Sequence, residues 1–374
     1  MADTGTLLGP QRAIFSSRNP YEVLAAKNAT LRLRAPTGHV YSFTDLTCAH
    51  GAVNFGHLNP AIDPFSSLTS DVATSFYPPS AVSYGEWLSR KLRLDVHTVL
   101  YKVGGDAAVA TAIELAQRAR AGKILTIDGS RHSRLAEAGQ SDRQVVRIRP
   151  GSEFSAWEDI SCLIYEPIQG ANGYVPLPLP WLRGLSQAAQ AAGVLAIADE
   201  TQCGFFRFGR LSLAASEYLM PDICLFGNSM TNGIYPLFAV VCPESLASEF
   251  PVEEERWDHV FQTASMGFQA AEMVAGYVDS TDIEGMVAQI HSILSHAGER
   301  LAANPRLSSF HLAGPTLSLE VRDEGATKLV DACEQQGVLV SRGGRRVRIA
   351  PPVTIPADQL TNALKVLEKA AKTL

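Results

Sequence analysis

No apolar run in this chain is long enough to span a bilayer, and the opening Met1-Ala-Asp-Thr-Gly-Thr-Leu-Leu-Gly-Pro10 lacks the basic stretch and long apolar core of a secretory signal. The expectation is a cytoplasmic protein with no membrane partner. Charged residues are scarce at 19%, and 32 basic against 38 acidic side chains give a formal charge of -6, so the chain has no basic footprint for nucleic acid. The six cysteines (Cys48, Cys162, Cys203, Cys224, Cys242, Cys333) show no C-x-x-C or His-rich spacing. That argues against a disulfide framework or a metal site and for reduced, mostly buried thiols. Internal repeats and low-complexity segments are lacking too, so function has to come from discrete sites.

What is present is globular material in quantity: 374 residues, 46% of them hydrophobic. Single cores seldom grow past roughly 250 to 300 residues, which predicts two lobes. Through the middle of the chain, short apolar runs alternate with Ala-rich helical stretches, the pattern of βα units around a mainly parallel sheet. Strands are predicted at Val99–Val103, Ile124–Ile127, Val145–Ile148, Cys162–Tyr165, Val194–Ala198, Ile223–Phe226 and Phe238–Val241. Helices are predicted at Ala107–Arg120 and at Trp181–Ala192, the latter opened by Pro176-Leu-Pro-Leu-Pro180 and closed by Gly193. From about Ala270 to Ala303 the pattern turns helical. An α+β tail follows: strand Thr316–Val321, helix Ala326–Gln336, strands Val338–Ser341 and Val347–Ala350, and helix Ala357–Thr373. The expected division is a large α/β unit over residues 44–270 and a smaller α+β unit in which residues 1–43 pack with 271–374.

Three loops at the C-terminal ends of these strands carry the informative residues, at the edge where open α/β sheets bind ligands. Lys102-Val-Gly-Gly-Asp-Ala-Ala108 is a strand ending in glycines that open a helix, which exposes backbone N–H groups to an anion or simply makes a tight turn. In Ala196-Ile-Ala-Asp-Glu-Thr-Gln-Cys-Gly204 an apolar strand delivers Asp199 and Glu200 side by side, either as site carboxylates or as members of a structural ion pair. Asp222-Ile-Cys-Leu-Phe-Gly-Asn-Ser-Met-Thr-Asn-Gly233 runs a buried strand into a small-residue turn at Asn228 that, by itself, reads as any loop.

Taken in order, these loops resemble the class III aminotransferases of pyridoxal phosphate (PLP) fold type I, over about Asn54 to Pro352. The branch they resemble most contains glutamate-1-semialdehyde aminomutase and bacterial sugar aminotransferases. The resemblance is carried by Asn54-Phe-Gly-His-Leu-Asn-Pro60, Gly104-Gly-Asp-Ala107, Tyr165-Glu-Pro-Ile-Gln-Gly170, Ala198-Asp-Glu-Thr-Gln-Cys-Gly204, Phe226-Gly-Asn-Ser-Met-Thr-Asn-Gly233 and Arg348-Ile-Ala-Pro-Pro352. It implies a fold with a large, mainly parallel sheet flanked by helices plus a smaller α+β domain. It also implies roles: Asp199 for the pyridine nitrogen, Gln202 near the ring hydroxyl, Gly104, Gly105 and Asp106 for the phosphate, and Thr263 reaching the phosphate from a neighbouring subunit. A homodimer with composite sites follows from that sharing.

The resemblance breaks at the cofactor. Asn228 stands where the family has its Schiff-base lysine, and an amide nitrogen forms no imine. Gly105 replaces a hydroxyl residue, Arg131 replaces the aromatic residue that stacks on the ring, and Phe206-Arg-Phe-Gly209 puts two large rings where the family has small residues. Four changes at one site read as natural divergence rather than a single engineered trap. Each lost charge-assisted hydrogen bond is worth roughly 1.5 to 3 kcal/mol. The expectation is therefore no covalently bound cofactor, and PLP or pyridoxamine phosphate held noncovalently at most. Three functions stay open. The first is PLP-independent elimination, cyclisation or isomerisation of a small anionic metabolite, with Arg131 as anion clamp and Asp199, Glu200 and His132 as acid–base groups. The second is a pyridoxamine-phosphate-dependent dehydratase, and the third a non-catalytic homologue acting as a binding or partner subunit.

Overall fold

The structure, a computed structural model, describes residues 21–62, 79–93, 97–132, 144–248 and 265–374. Three short hairpin strands open it: β1 (Glu22–Lys27), β2 (Thr30–Arg34) and β3 (Val40–Asp45). The central strands are β4 (His97–Val103), β5 (Lys123–Ile127), β6 (Val145–Ile148) and β7 (Ile160–Tyr165), then, after the small ribbon β8 (Ile168–Gln169) and β9 (Val175–Pro176), β10 (Leu195–Asp199), β11 (Ile223–Phe226) and β12 (Leu237–Pro243). The C-terminal strands are β13 (Leu307–Ala313), β14 (Thr316–Val321), β15 (Val338–Leu339), β16 (Ser341–Gly343) and β17 (Arg346–Ile349).

The seven-stranded sheet runs β4-β12-β11-β10-β7-β5-β6. Pairings from β11 through β6 are parallel, whereas β12 lies antiparallel to both β11 and β4. Strands of this kind are buried on both faces and so need continuous apolar runs rather than alternation. Ile160-Ser-Cys-Leu-Ile-Tyr165 is buried at every position. The helix Gly105–Ala119 covers one face with Ala108, Val109, Ala112, Ile113, Leu115 and Ala116, and Leu179–Ala191 covers the other with Leu182, Leu185 and Ala189. Spacings of three and four residues put these side chains on one stripe, and each fully buried Leu or Ile contributes about 1.5 to 3 kcal/mol.

The helical stretch predicted from about Ala270 is two helices, Ser265–Ser280 and Ile283–Ala302, separated where Asp282 caps the second by accepting from the Gly285 N–H at 2.9 Å. The single strand predicted over Val338–Ser341 also divides. Val338–Leu339 pairs in parallel with β3, while Ser341–Gly343 pairs with β17, so the chain must bend between two sheets at Val340. Through β15 the N-terminal hairpin and the C-terminal segment share one four-stranded sheet. Among the described residues no helix is long and apolar enough to cross a membrane, and no group of His, Cys, Asp and Glu is arranged to hold a metal.

Candidate active site

Asp199 ends β10 at the C-terminal edge of the central sheet, where it is 3% exposed. A carboxylate buried this deeply needs partners, and it has three bonds from two residues. Oδ2 lies 2.8 Å from His132 Nδ1, while Oδ1 accepts from the Thr201 N–H at 3.1 Å and the Thr201 hydroxyl at 2.6 Å. Burial alone would push this carboxyl up, but the His132 hydrogen bond and charge, with the Thr201 bonds, outweigh it and hold the group below its ordinary value. An ionised carboxylate only accepts, so Nδ1 of His132 carries the proton. The other ring nitrogen meets Thr126 Oγ1 at 3.1 Å, and this closed Thr126–His132–Asp199 chain leaves His132 no unbonded ring nitrogen.

Glu200, the adjacent carboxylate, does not join it. Its oxygens accept from the Ser212 hydroxyl, the Leu213 N–H at 2.6 Å and the Ala214 N–H at 3.2 Å, at the start of the short helix Leu213–Ser216. Ser212 in turn caps that helix. With no exposed surface and its bonds spent on a helix terminus, Glu200 is a fold-holding group, although burial pushes its carboxyl up to about 7. Its expected acid–base role is corrected on that ground. A carboxylate that sequence reading passed over lies nearer the site. Glu166 accepts from the Arg131 N–H at 2.9 Å and the Gly170 N–H at 3.2 Å, and burial raises it to about 7 as well.

At the glycine turn, Gly104 (φ 89) caps the helix Gly105–Ala119, with open space where a Cβ would sit. The next glycine is required for another reason. A Cβ on Gly105 would lie 3.2 Å from the Phe238 ring, and Gly227 packs against the same ring even more closely. Phe238 therefore explains the missing hydroxyl at Gly105: the ring fills that volume. Asp106, read from the sequence as lying in the turn before a helix starting at Ala107, stands in the first turn of the helix, beside the glycines. Asn228 opens the turn Asn228–Thr231 with φ 49, half-buried, and makes no side-chain hydrogen bond among the described residues. Thr263 lies outside the described residues.

Phe206 and Phe208, expected to crowd the pocket, are buried in the hydrophobic core, Phe208 edge-on to Tyr174 at 5.1 Å. Arg207 between them has no exposed surface. Its guanidinium donates to Asn54 Oδ1, to the Ala350 carbonyl at 2.9 Å, to the Pro351 carbonyl at 3.3 Å and to Cys48 Sγ at 3.4 Å. One buried cation thus ties the Cys48 turn, Asn54 and the Ala350–Pro351 segment together.

A cavity of about 380 Å³ opens beside the Asp199 chain, lined by His50, Arg131, Ala171, Tyr174, Gln202, Arg342 and Arg348. Of the site residues read from the sequence, it takes in Arg131 and Gln202, and it leaves out Gly104, Gly105, Asp106, Asp199, Glu200, His132 and Asn228. Arg348 is held by Ser341 Oγ at 3.0 Å, the Gly170 carbonyl at 2.9 Å and the Arg342 carbonyl at 3.0 Å, with its guanidinium 5.2 Å from the centre of the Tyr174 ring. Arg342 donates to Thr327 Oγ1 at 2.6 Å. Neither Arg342 nor Arg348 has a carboxylate partner among the described residues, so the cavity carries uncompensated positive charge. Sequence reading quoted Arg348 without a role and missed His50, Arg342 and Tyr174, which come from segments far apart in the chain.

PLP fits part of this arrangement. Asp199 offers a buried, ionised carboxylate for the pyridine nitrogen, Gln202 lines the adjoining cavity, and the helix Gly105–Ala119 begins at the glycine turn, where a phosphate meets a helix N-terminus, although the Gly104 N–H itself is bonded to the Pro236 carbonyl at 2.9 Å.

The solved acetylornithine aminotransferase of Elizabethkingia anophelis superposes with a TM-score of 0.82 at 22% identity, covering 99% of each chain. The ornithine aminotransferase of Toxoplasma gondii superposes at 0.83 and 18% identity over 100% of this chain and 95% of that one, and was found with PLP at partial occupancy in its active site. These likenesses show the PLP fold type I architecture. Among curated proteins, the ornithine aminotransferase of an Exiguobacterium species is 24% identical over 94% of this chain and 93% of its own length. The acetylornithine aminotransferase of Clostridium acetobutylicum is 24% identical over 86% and 90%. The family described as Aminotransferase class-III matches residues 141–371. This finding overturns the expected cofactor state. In a family of PLP enzymes PLP is the expected cofactor, and the sequence-based expectation of no covalently bound cofactor, with PLP or pyridoxamine phosphate held noncovalently at most, is withdrawn. By fold and by sequence, the chain belongs to the class III aminotransferases.

Proposed function

We propose that this class III aminotransferase takes a small, carboxylate-bearing metabolite in the arginine-lined cavity beside a PLP pocket, and that its chemistry has moved away from amino transfer. The observation that carries this reading is the pair of guanidiniums at Arg342 and Arg348, both without carboxylate partners, together with Arg131 in one cavity. Planar guanidiniums bind carboxylates with two parallel bonds. A volume near 380 Å³ suits a small molecule rather than a polymer.

In this reading Asn228 stands at the position of the family's Schiff-base lysine, and amino transfer is lost with that amine, because an amide has no basic pair to move a proton. PLP, when bound, supplies an electron sink for charge that develops on the substrate. The protein's own residues do the rest. Asp199, held ionised and aimed by His132 and Thr201, would pair with the ring nitrogen, Gln202 would sit near the ring hydroxyl, and the helix start at Gly105 and Asp106, beside Gly104, would receive the phosphate. Arg131 and Arg348 orient the substrate carboxylate. The reading includes a large unit over residues 44–270, a smaller one built from 1–43 and 271–374, and a homodimer with composite sites in which Thr263 serves the partner.

The test is amino transfer itself. With PLP and an ornithine or glutamate donor, the wild-type chain is expected to show no turnover above background, and Asn228→Lys is expected to gain it. Amino transfer by the wild-type chain at rates ordinary for enzymes would refute the reading.

A further inference from the structure

His50 reaches the cavity on backbone that costs energy. Cys48, Ala49 and His50 have φ of 51°, 47° and 57°, and Gly51 follows at 89°. A residue with a Cβ is disfavoured in that region by the clash of the Cβ with the backbone carbonyl. Such strain persists only where the surroundings fix it, and here they do. The Val53 N–H bonds to the Cys48 carbonyl at 3.2 Å, the Ser229 hydroxyl donates to the Gly51 carbonyl, and Cys48 Sγ accepts from buried Arg207. Ser229 directly follows Asn228, so the turn that presents His50 is latched to the turn that lacks an amine.

The other imidazoles and carboxylates placed near the cavity are committed. Both ring nitrogens of His132 are bonded within its closed chain, Glu166 is bound to two backbone N–H groups, and Glu200 holds a helix terminus. His57 is paired with Asp45 at 2.9 Å. Guanidiniums do not deprotonate in this range. Among the described residues, His50 is the one imidazole that lines the cavity, and it makes no hydrogen bond there.

We propose that His50 is the proton-exchanging residue of the cavity, contacting the carboxylate-bearing substrate that Arg131 and Arg348 orient. The inference rests on the substrate reading given under Proposed function. Burial lowers the imidazole from its ordinary value, and the Arg348 charge lowers it further, against a smaller opposing pull from Asp45 on β3. Arg131 and Arg342, on the other walls, add positive charge facing the same space. The free ring is therefore neutral at pH 7 and ready to accept a proton. A bound carboxylate cancels part of the guanidinium charge, stabilises the protonated ring and raises its pKa.

The probe is succinate, bound to the full chain and followed by calorimetry and by NMR of isotope-labelled histidine. Succinate is expected to raise the titration midpoint of the His50 signal. By linkage, it should bind about three- to tenfold more tightly at about pH 6 than at about pH 8. His50→Asn, chosen because Asn tolerates the left-handed backbone, should still bind succinate but with a flat pH profile in that window. If succinate binds the wild type while the His50 signal stays put and His50→Asn keeps the wild-type pH profile, the inference is overturned and the cavity reading stands. If succinate does not bind the wild type at either pH, the cavity reading itself falls, and the role of His50 with it.

Discussion

Replacing Arg207 with methionine removes a fully buried cation from the junction of three segments, and the structure sets the expected cost. The guanidinium makes bonds to the Ala350 and Pro351 carbonyls, Asn54 Oδ1 and Cys48 Sγ, while its Nε has no partner. Hydrogen bonds to a charged group are worth about 1.5 to 3 kcal/mol each, so the three oxygen contacts represent roughly 5 to 9 kcal/mol gross. Against this stands the several kcal/mol that desolvating the cation costs and that methionine recovers. The net is a loss of about 2 to 4 kcal/mol, because methionine leaves the acceptors buried and unpaired. For a chain of 374 residues that means a fall in Tm of order 3 to 5 °C, read by differential scanning calorimetry. Arg207→Lys, which keeps the charge and loses the fork, should fall between the two. Hydrogen exchange should quicken around residues 48–56 and 350–353 in the methionine variant. An unchanged Tm with unchanged exchange in those segments would refute the claim that Arg207 holds the turn carrying His50.

Four further outcomes are expected. Ser212→Ala removes both a helix cap and a donor to Glu200 and should cost about 1 to 2 kcal/mol in denaturant unfolding, against no change if Glu200 is held by backbone alone. Burial pushes Glu166 up to about 7, so the preference of the fold for its protonated form is present in full below the unfolded value and is lost as pH rises through about 7. Glu166→Gln should flatten the decline in stability between about pH 4.5 and 7 that Glu166 causes, and an unaltered pH–stability curve would refute the assignment. Asp199 has the opposite sign. Its lowered value contributes stability above the unfolded value of about 3.9 that is lost as pH falls through the folded value, so Asp199→Asn should blunt acid unfolding. Light scattering is expected to give the mass of two chains, and a monomer at micromolar concentration would contradict the composite-site reading.

The central sheet was legible because buried parallel strands carry continuous apolar runs. Val145–Ile148 and Ile223–Phe226 were read to the residue, and the other strands of that sheet to within two or three at each end. The helix Pro79–Leu92 and the strands β1 to β3 escaped reading, and for a reason. Glu22–Lys27 is almost wholly exposed, so it shows no apolar pattern, and the helix begins at Pro79 with Ser and Ala before its large apolar residues. β12 was read as a strand, but its reversal between β11 and β4 cannot be seen in a local run. At the site, Asp199 and the glycine turn were read as candidates because strand ends mark ligand edges. Glu200 misled because two adjacent carboxylates look alike in sequence, whereas a strand end sends neighbouring side chains to opposite sides. His50 could not be found, since three consecutive left-handed residues without glycine leave no sequence signal.

The most direct measurement is the titration of the full chain with PLP, followed by absorbance and by quenching of tryptophan fluorescence, alongside Asp199→Asn. The account predicts saturable binding by the wild type and at least about tenfold weaker binding by the variant, the loss of one charge-assisted bond to the ring nitrogen. Equal affinity in the two proteins, or no saturable binding by the wild type, would contradict it.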